Sequence, residues 1–517
     1  MTSDPVAETI YGRVRGAFGA GGTMAFKGVR YAVADRFMPP RPPQPWAGVV
    51  DALQFGASAP QSNPEPPPGP PYVITAQIPP PAGASPPPRL PESEDCLFLN
   101  VWTAGLADGR KRPVMVWLHG GFFYGGSGST VDGSALAARG GVVVVSLNHR
   151  LNAFGFAHLA DLPAGEFGHS GNAGMLDIVA ALEWVRDNIA SFGGDPDRVM
   201  VFGASGGGMK TSILMASPQA EGLIHRAAMQ SGPGLRFMEP ADASAATAML
   251  LAELGLAANQ ANDLALVPMV QLLRAYHAVA ARLKPARFID LPSFSPVLDA
   301  NVLPRHPFSP DAAPRTRDIP MLIGWNAQEM SFFMGNDPAA FTLDEAGLEA
   351  RAEALIGPGA ADILTLYRQR HPALDPGQRY IRLLSDYSVM LPTLAQADRK
   401  AGLGGAPTYA YRFDFPSPAL GGKLGAMHTL EASFVFDTTA AAPHITGGSP
   451  QAATLAATMS TAWANFAITG DPNGGDMPHW PRYDPATSPI MLLGAEPELA
   501  HDPVGPERRT MASLLGV

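Results

Sequence analysis

The stretch that decides the fold reads VMVFGASGGG and covers residues 199–208. Its first part, Val199 to Phe202, is a short apolar run of the kind that forms a buried strand. The run leads into the pattern G-x-S-x-G around Ser205, and a helix is predicted from Gly208 onward. A sharp turn between a strand and a helix exposes a serine hydroxyl beside the N–H groups of the helix N-terminus. The stretch therefore predicts a nucleophilic serine at the edge of a sheet.

Two more apolar runs lie upstream, Val114 to Leu118 and Val142 to Leu147, and Gly, Pro or Asn residues bound such runs in this chain. Before Val199, residues 172–188 carry apolar side chains at three- and four-residue steps, which indicates a helix with one buried face. A strand, a helix and a strand at this spacing form a βαβ crossover. The sequence therefore predicts an α/β protein with a central, mostly parallel sheet flanked by helices.

The rest of the chain contains further strands, two insertions and one unusual segment. Residues 241–281 and 343–370 are predicted as helical insertions. Residues 60–91 are too rich in proline for a sheet interior or a continued helix, and they form either a surface loop or a rim over a pocket. Further strands are predicted at Ala227 to Gln230, Met321 to Gly324 and Tyr409 to Phe413.

Composition excludes several classes of function. The net charge of -10 is spread over 517 residues without a basic patch, which argues against a nucleic-acid partner. No apolar run approaches the roughly 18 residues that span a bilayer, and the N-terminus lacks the apolar core of a secretion signal. Cys96 is the only cysteine, so an internal disulfide and a cysteine metal cluster are excluded. We expect a cytoplasmic protein without a metal, and the oligomeric state has no signal in the sequence.

A serine hydroxyl needs a base that removes its proton during attack. In folds with this strand–serine–helix turn the order along the chain is serine, acid, histidine, so the base is expected late in the chain. His428 follows the predicted strand Tyr409 to Phe413, but spacing alone does not choose among the late histidines. These are His371, His428, His444, His479 and His501.

The acid of such a site must follow a strand and lie away from bulk water. Glu329 comes five residues after the strand that ends at Gly324 and just before an apolar run. Asp299 and Asp318 are alternatives that the spacing leaves open. An oxyanion hole also requires backbone N–H groups, and the run of residues 119–123 after the strand Val114 to Leu118 is of the glycine-rich type that supplies them.

The chain resembles the type-B carboxylesterase family, on segments that follow the family order along nearly the whole chain. The resemblance implies an α/β-hydrolase fold, one catalytic domain over residues 1–517, no cofactor and a small-molecule ester as substrate. It implies a triad of Ser205, Glu329 and His428, oxyanion donors at Gly121, Phe122 and Gly206, and supporting roles near the triad for Ser231 and Glu431. The segments are residues 26–28, 94–101, 188–189, 192–196 and 470–473.

The sequence departs from the family at three places near the serine. Ala204 stands where the family usually has Glu, Gly206 where it has Ala, and Phe122 where it has Gly or Ala. Phe122 can still donate its backbone N–H, but its ring must either occupy part of the pocket or pack against the core.

The resemblance implies ester hydrolysis through an acyl-serine intermediate. Hydrolysis of amides or carbamates by the same triad is the alternative reaction. A non-catalytic binding protein on this fold is the alternative from another class, although the three triad residues argue against it.

Two buried ion pairs are also expected from the resemblance, Arg150 with Asp177 and Arg36 with Glu94. In both pairs the acid lies beside an apolar run, where an unpaired charge would be costly.

Overall fold

The computed structural model describes residues 4–79, 90–162, 167–283 and 291–515. Within these ranges the chain forms an eleven-stranded sheet and a separate three-stranded sheet. The strands are β1 Val6–Thr9, β2 Gly12–Arg15, β3 Ala17–Phe18, β4 Met24–Arg30, β5 Val49–Asp51, β6 Phe98–Thr103, β7 Arg112–Leu118, β8 Val143–Leu147, β9 Gly194–Ala204, β10 Arg226–Gln230, β11 Met321–Asn326, β12 Thr408–Phe413, β13 Pro489–Leu493 and β14 Glu498–His501.

The large sheet has the order β14-β13-β12-β11-β10-β9-β7-β8-β6-β4-β3, and β1, β2 and β5 form the small one. Every pair from β13 through to β8 is parallel, whereas the pairs at both ends are antiparallel. This confirms the predicted mostly parallel sheet of the α/β-hydrolase class. The crossover from β8 to β9 places β7 between its two strands, and all three run in the same direction.

Helices cover the sheet, and the helix predicted at residues 172–188 is present as α3. The α-helices are α1 Ser134–Gly140, α2 Asn152–Phe156, α3 Ala173–Asn188, α4 Gly206–Ala216, α5 Pro240–Glu253, α6 Met269–Arg282, α7 Glu345–Ile356, α8 Ala360–Arg370, α9 Pro376–Ser385, α10 Leu391–Gly402, α11 Leu430–Val435, α12 Pro443–Thr446, α13 Pro450–Thr469 and α14 Gly505–Leu515.

The apolar strand runs are explained by burial on both faces of the sheet. On β7, Val114 and Val116 belong to one hydrophobic cluster, whereas Met115 and Trp117 belong to the cluster on the opposite face. Successive side chains of a strand point to opposite faces, so a strand with both faces covered needs apolar residues throughout.

Both predicted insertions are helical but interrupted. The first consists of α5, a 3-10 segment at Ala258–Leu266 and α6; Gly255, with φ of 72°, follows the end of α5. The second is divided into α7 and α8 at Gly357, where φ is 83°. Glycine tolerates a positive φ, which other residues rarely adopt, so both breaks fall at or next to a glycine. No single helix in the described ranges is long and apolar enough to cross a membrane, although α5 and Ala258–Leu266, bent by 70°, pass that test as a pair.

The expected ion pairs are both formed. Arg150 and Asp177 are buried, and the guanidinium Nη2 lies 2.6 Å from Oδ1 of the carboxylate. Arg36 also pairs with Glu94, but the Glu94 side chain is 34% exposed. The second pair is therefore half-buried, and the expectation of full burial was wrong for Glu94.

Candidate active site

Ser205 lies at the turn between β9 and α4, with φ of 57° and ψ of -125°. A non-glycine residue rarely adopts a positive φ, and such strain persists only where the surroundings impose it. Here the Ser205 N–H donates to the carbonyl oxygen of Gln230 on β10 at 2.8 Å. Gly207 is also required, because a Cβ at that position would lie 2.0 Å from the carbonyl oxygen of Leu118. Contacts with the ends of β7 and β10 therefore hold the serine turn in place.

His428 and Glu329 form a buried pair. The Nδ1 atom of His428 lies 2.5 Å from Oε2 of Glu329, and both side chains are almost completely buried. Glu329 begins a 3-10 turn, Glu329–Phe333, that follows β11, and its Oε1 accepts the backbone N–H of Asn326 at 2.6 Å. The carboxylate therefore fixes the ring of His428 and its tautomer, with the proton on Nδ1.

The other ring nitrogen of His428, Nε2, is buried and has no hydrogen-bond partner among the described residues. His428 and Ser205 line the same cleft. The structure records no hydrogen bond between the two side chains, a geometry that is common before substrate binds, when catalytic hydrogen bonds are often long. The rings of Phe332 and Phe333 lie 5.7 and 5.1 Å from the ring of His428 and shield it on one side.

A second buried carboxylate, Glu431, lies behind this pair. Asn326 donates its Nδ2 to Oε2 of Glu431 at 2.5 Å and to the carbonyl oxygen of Met427 at 2.6 Å. Gln230 donates to Oε1 of Glu431 at 3.2 Å and accepts from the indole N–H of Trp463 at 3.2 Å. Burial, followed by the charge of Glu329, raises the pKa of Glu431 to about 7. We call Glu329, Glu431, Asn326 and Gln230 the acidic network.

Residues 119–126, which we call the oxyanion loop, follow β7 and pass beside the serine. Gly121 and Phe122 have positive φ values of 86° and 48°. Gly206, the first residue of α4, lies directly against Phe122, because a Cβ on Gly206 would be 2.4 Å from the Phe122 carbonyl oxygen. The first N–H groups of a helix lack partners within it. The three expected donor residues are thus neighbours, and the closeness of Phe122 accounts for glycine at position 206.

Phe122 both lines the cleft and packs against the loop. Its ring stacks on the ring of Tyr124 at a centroid distance of 5.6 Å and an interplanar angle of 18°. The hydroxyl oxygen of Tyr124 lies 3.1 Å from the hydroxyl oxygen of Tyr72, which belongs to the proline-rich segment. Gln61 of the same segment exchanges two hydrogen bonds with the backbone of Gly126. The described part of residues 60–91 therefore lies beside the oxyanion loop, whereas residues 80–89 lie outside the described ranges.

The cleft has a volume of about 770 Å³, which suits a ligand of drug size. Ser231 also lines it, with φ of 51° and a buried hydroxyl that has no partner among the described residues. Apolar side chains form much of the remaining wall, among them Met209, Leu235, Phe237, Leu291 and Val389.

The alternative site residues lie elsewhere. Asp299 accepts the backbone N–H groups of residues 301–303 and so stabilises a turn, whereas Asp318 is exposed. His371 contacts Glu507, and neither residue lines the cleft. The described ranges contain no group of three or more His, Cys, Asp or Glu side chains that could hold a metal ion.

Sequence reasoning missed three buried polar residues around the site. Asn326 and Gln230 end two strands, and nothing in their spacing distinguishes them from other polar strand ends. Lys210 carried a clearer signal, because a charged residue interrupts the small and apolar residues of α4.

Known proteins resemble this chain over nearly its whole length. Residues 3–510 match the model of the carboxylesterase family. The chain is 35% identical to the para-nitrobenzyl esterase of Bacillus subtilis, over 98% of each chain. It is 33% identical to the phenmedipham hydrolase of Pseudarthrobacter oxydans, over 99% of this chain and all of that one.

Solved structures give the same result. The crystal structure of a carboxylesterase from Geobacillus stearothermophilus superposes with a TM-score of 0.80 at 36% identity. The match covers 98% of this chain and 99% of the other, so the similarity includes the sheet, the serine turn and the insertions together.

Proposed function

The chain belongs to the carboxylesterase family and is a carboxylic-ester hydrolase, and from this premise we propose that Ser205, His428 and Glu329 are its catalytic triad. The observation that carries the proposal is the buried contact of 2.5 Å between His428 Nδ1 and Glu329 Oε2, in a cleft that Ser205 also lines. We further propose that residues 1–517 form one catalytic domain, because the strands of its large sheet range from β3 to β14. A cytoplasmic location, supported only by the single unpaired Cys96, is proposed as well.

In the acylation step, the Oγ of Ser205 attacks the ester carbonyl carbon while Nε2 of His428 takes the hydroxyl proton. The carbonyl oxygen becomes negatively charged and accepts hydrogen bonds from the N–H groups of Gly121, Phe122 and Gly206. The bond to the alcohol then breaks, and His428 delivers the proton to the leaving alcohol.

In deacylation, His428 activates a water molecule that attacks the acyl-serine and releases the acid. Glu329 remains ionised and stabilises the imidazolium form of His428 in both steps. The buried position of the pair strengthens this attraction, because little water screens it.

Phe122 supports a proposal about substrate shape. Its ring lines the cleft beside Ser205, so esters of tertiary alcohols should meet the ring, whereas flat or primary alcohols gain an apolar contact. In Phe122→Gly, kcat/KM for a tert-butyl ester should rise relative to that for the ethyl ester. An equal loss for both esters would mean that the ring is a packing residue, whose removal leaves a cavity costing about 3–5 kcal/mol.

The triad is tested by Ser205→Ala on para-nitrophenyl esters of increasing acyl length. Turnover should fall by about 10⁶-fold without loss of folding, as for other serine hydrolases that lose the nucleophile. Ser244→Ala is the matched control, because this half-buried serine does not line the cleft and its hydroxyl donates to Asp161. Substantial activity in Ser205→Ala would refute the assignment.

Amide or carbamate hydrolysis is the second candidate reaction of the same site. An ester and an anilide with the same acyl group, assayed in parallel, separate the two. We expect the ester to be hydrolysed faster. A faster anilide reaction would assign the cleft to amide substrates, with the same residues in the same roles.

A further inference from the structure

Lys210 is a buried cation directly beneath the oxyanion loop. It lies on α4 four residues after Gly206, so the two residues share one side of the helix. The side chain is fully buried, and its Nζ donates to the carbonyl oxygen of His119 at 3.0 Å. The same nitrogen is 5.6 Å from the centre of the Phe123 ring. Lys210 thus contacts the loop on both sides of Gly121 and Phe122, the two proposed donors that the loop supplies.

No carboxylate pairs with this ammonium group in the described part of the chain. The titratable groups beside it are His119 and His149, whose rings stack at a centroid distance of 4.8 Å. In each ring Nδ1 lies within 2.8 Å of a backbone carbonyl oxygen, so Nδ1 carries the proton and donates it. Arg150, the next cation, is matched by Asp177. We call Lys210, His119 and His149 the basic cluster.

The two histidines are neutral. Burial, with the charge of Lys210 as the second cause, lowers the pKa of His119 to about 3, and the same two causes lower that of His149. Burial alone lowers the pKa of Lys210 to about 7. The neutral rings of His119 and His149 therefore do not compensate the positive charge of Lys210. Burying an unpaired cation costs stability, and such groups are found most often at functional sites.

We propose that Lys210 is a positioning residue for ester hydrolysis, which holds the oxyanion loop through the His119 carbonyl and places a positive charge behind its N–H donors. The proposal rests on the proposed function of Ser205. The carbonyl group of His119 belongs to the peptide that joins residues 119 and 120. The next two peptides carry the N–H groups of Gly121 and Phe122, so a hydrogen bond that holds this carbonyl group also restrains the two donors. A preorganised positive charge in a dry site stabilises the developing oxyanion more than the neutral substrate.

A purely structural role would also explain the hydrogen bond, so the test must separate the two. A trifluoromethyl ketone inhibitor does so, because Ser205 Oγ adds to its carbonyl carbon, the serine proton moves to His428 and an oxyanion forms. The matching methyl ketone adds far less readily and reports binding of the uncharged form. Both inhibitors, together with kcat and KM for para-nitrophenyl acetate, are measured on the full chain below pH 7, where Lys210, with its pKa lowered to about 7, carries its charge.

Lys210→Met removes the charge and the hydrogen bond, whereas Lys210→Gln keeps a donor without the charge. For Lys210→Met we expect kcat to fall about 10- to 100-fold, somewhat less than the loss of a direct oxyanion donor, with KM changed by less than about threefold. The affinity for the trifluoromethyl ketone should fall by a similar factor, and that for the methyl ketone should stay within about threefold. Lys210→Gln should lie between Lys210→Met and the unmodified protein.

Lys400→Met is the matched control. Lys400 is also a fully buried lysine whose Nζ donates to backbone carbonyl oxygens, those of Arg317 and Ala406, but it does not line the cleft. Its loss should leave both the turnover and the affinity for the trifluoromethyl ketone unchanged. Circular dichroism and thermal unfolding verify that each variant is folded.

The outcomes distinguish this proposal from the proposed function. If the trifluoromethyl ketone binds Ser205→Ala as tightly as the unmodified protein, the triad is wrong and the role of Lys210 is wrong with it. If tight binding requires Ser205 but both Lys210 variants keep full kcat and full affinity, only the role of Lys210 is overturned. An equal loss of affinity for both ketones would likewise overturn it, because it would indicate a general distortion of the cleft.

Discussion

The acidic network contacts His428, the basic cluster contacts the oxyanion loop, and the two differ in how their charges are satisfied. The acidic network holds its carboxylates in a chain of hydrogen bonds that runs from His428 to Trp463. In the basic cluster, the ammonium group of Lys210 contacts one backbone carbonyl oxygen, that of His119, and the aromatic ring of Phe123. One region is thus closely hydrogen-bonded around its charges, whereas the other leaves its charge almost unmatched.

The difference corresponds to the charge separation in the proposed reaction. The transition state carries a positive imidazolium at His428 and a negative oxygen in the oxyanion hole. The Glu329 carboxylate lies beside the first, and the Lys210 ammonium group lies behind the second. Groups fixed in this arrangement before the reaction stabilise the transition state without reorganising, and low exposure to water strengthens their effect.

Among variants of the two charged regions, the largest expected effect is that of Glu329→Gln, which disrupts the acidic network. The change keeps the size of the side chain but removes the charge that orients and stabilises the His428 ring. We expect kcat/KM for para-nitrophenyl acetate to fall about 10⁴-fold, as for other triads that lose the acid.

Asp299→Asn provides the control for this prediction, since Asp299 is the alternative acid and its carboxylate accepts from the turn at residues 301–303 and from Asn172, away from the cleft. Its kcat/KM should stay within about threefold of the parent value, a difference of less than 1 kcal/mol. A larger loss in Asp299→Asn than in Glu329→Gln would reverse the assignment of the acid.

Gly206→Ala tests the oxyanion side. The added Cβ would lie 2.4 Å from the Phe122 carbonyl oxygen, so either the loop or the start of α4 must move. We expect kcat to fall about 10²-fold, the scale for losing one oxyanion donor. Gly402→Ala is the control, because a Cβ there has no atom within 4 Å. Unchanged turnover in Gly206→Ala would show that these backbone groups are not the donors.

The smallest expected effects are changes in thermal stability. The Tm difference between variant and parent should change with pH in opposite directions for the acidic network and the basic cluster. The pKa of Glu431 is raised to about 7, so between pH of about 4.3 and 7 the folded state binds more protons than the unfolded state. Stability from this group therefore falls as pH rises through that range. The Tm of Glu431→Gln relative to the parent should accordingly increase from pH 4 to pH 7.

The pKa of Lys210 is lowered to about 7, so between pH 7 and about 10.4 the folded state binds fewer protons than the unfolded state. The cost of burying this group is complete below pH 7 and decreases as pH rises. The Tm of Lys210→Met relative to the parent should therefore be highest below pH 7 and decline toward pH 10. Parallel trends in the two variants, measured by thermal unfolding, would contradict the comparison.

The central strands could be predicted from the sequence, because a strand that is buried on both faces of the sheet has a continuous run of apolar residues. The runs in β7, β8 and β9 and the turn at Ser205 were located in this way, with strand ends displaced by at most a few residues except at the start of β9. Histidine and acid could not be chosen from spacing alone. Their contact joins positions 329 and 428, which the paired strands β11 and β12 and the bridge between Gln328 and Met427 bring together.

The two charged regions around the site were largely invisible to sequence patterns. The register of β10 and β11 brings Gln230 and Asn326 to Glu431. Lys210 contacts His119, in a loop 91 residues earlier in the chain. Such contacts depend on tertiary packing rather than on local periodicity. A lysine within the small and apolar residues of α4 was the one local signal that could have indicated them.

Both regions can assist catalysis only if the acyl group is transferred to Ser205. The direct measurement is to mix the protein with para-nitrophenyl acetate, quench it with acid within the first turnover and locate the acetyl group by peptide mass spectrometry. The account predicts that acetyl appears on Ser205 at the rate of para-nitrophenol release and disappears at the rate of steady-state turnover. Acetyl on another residue that forms and decays at these rates would contradict it.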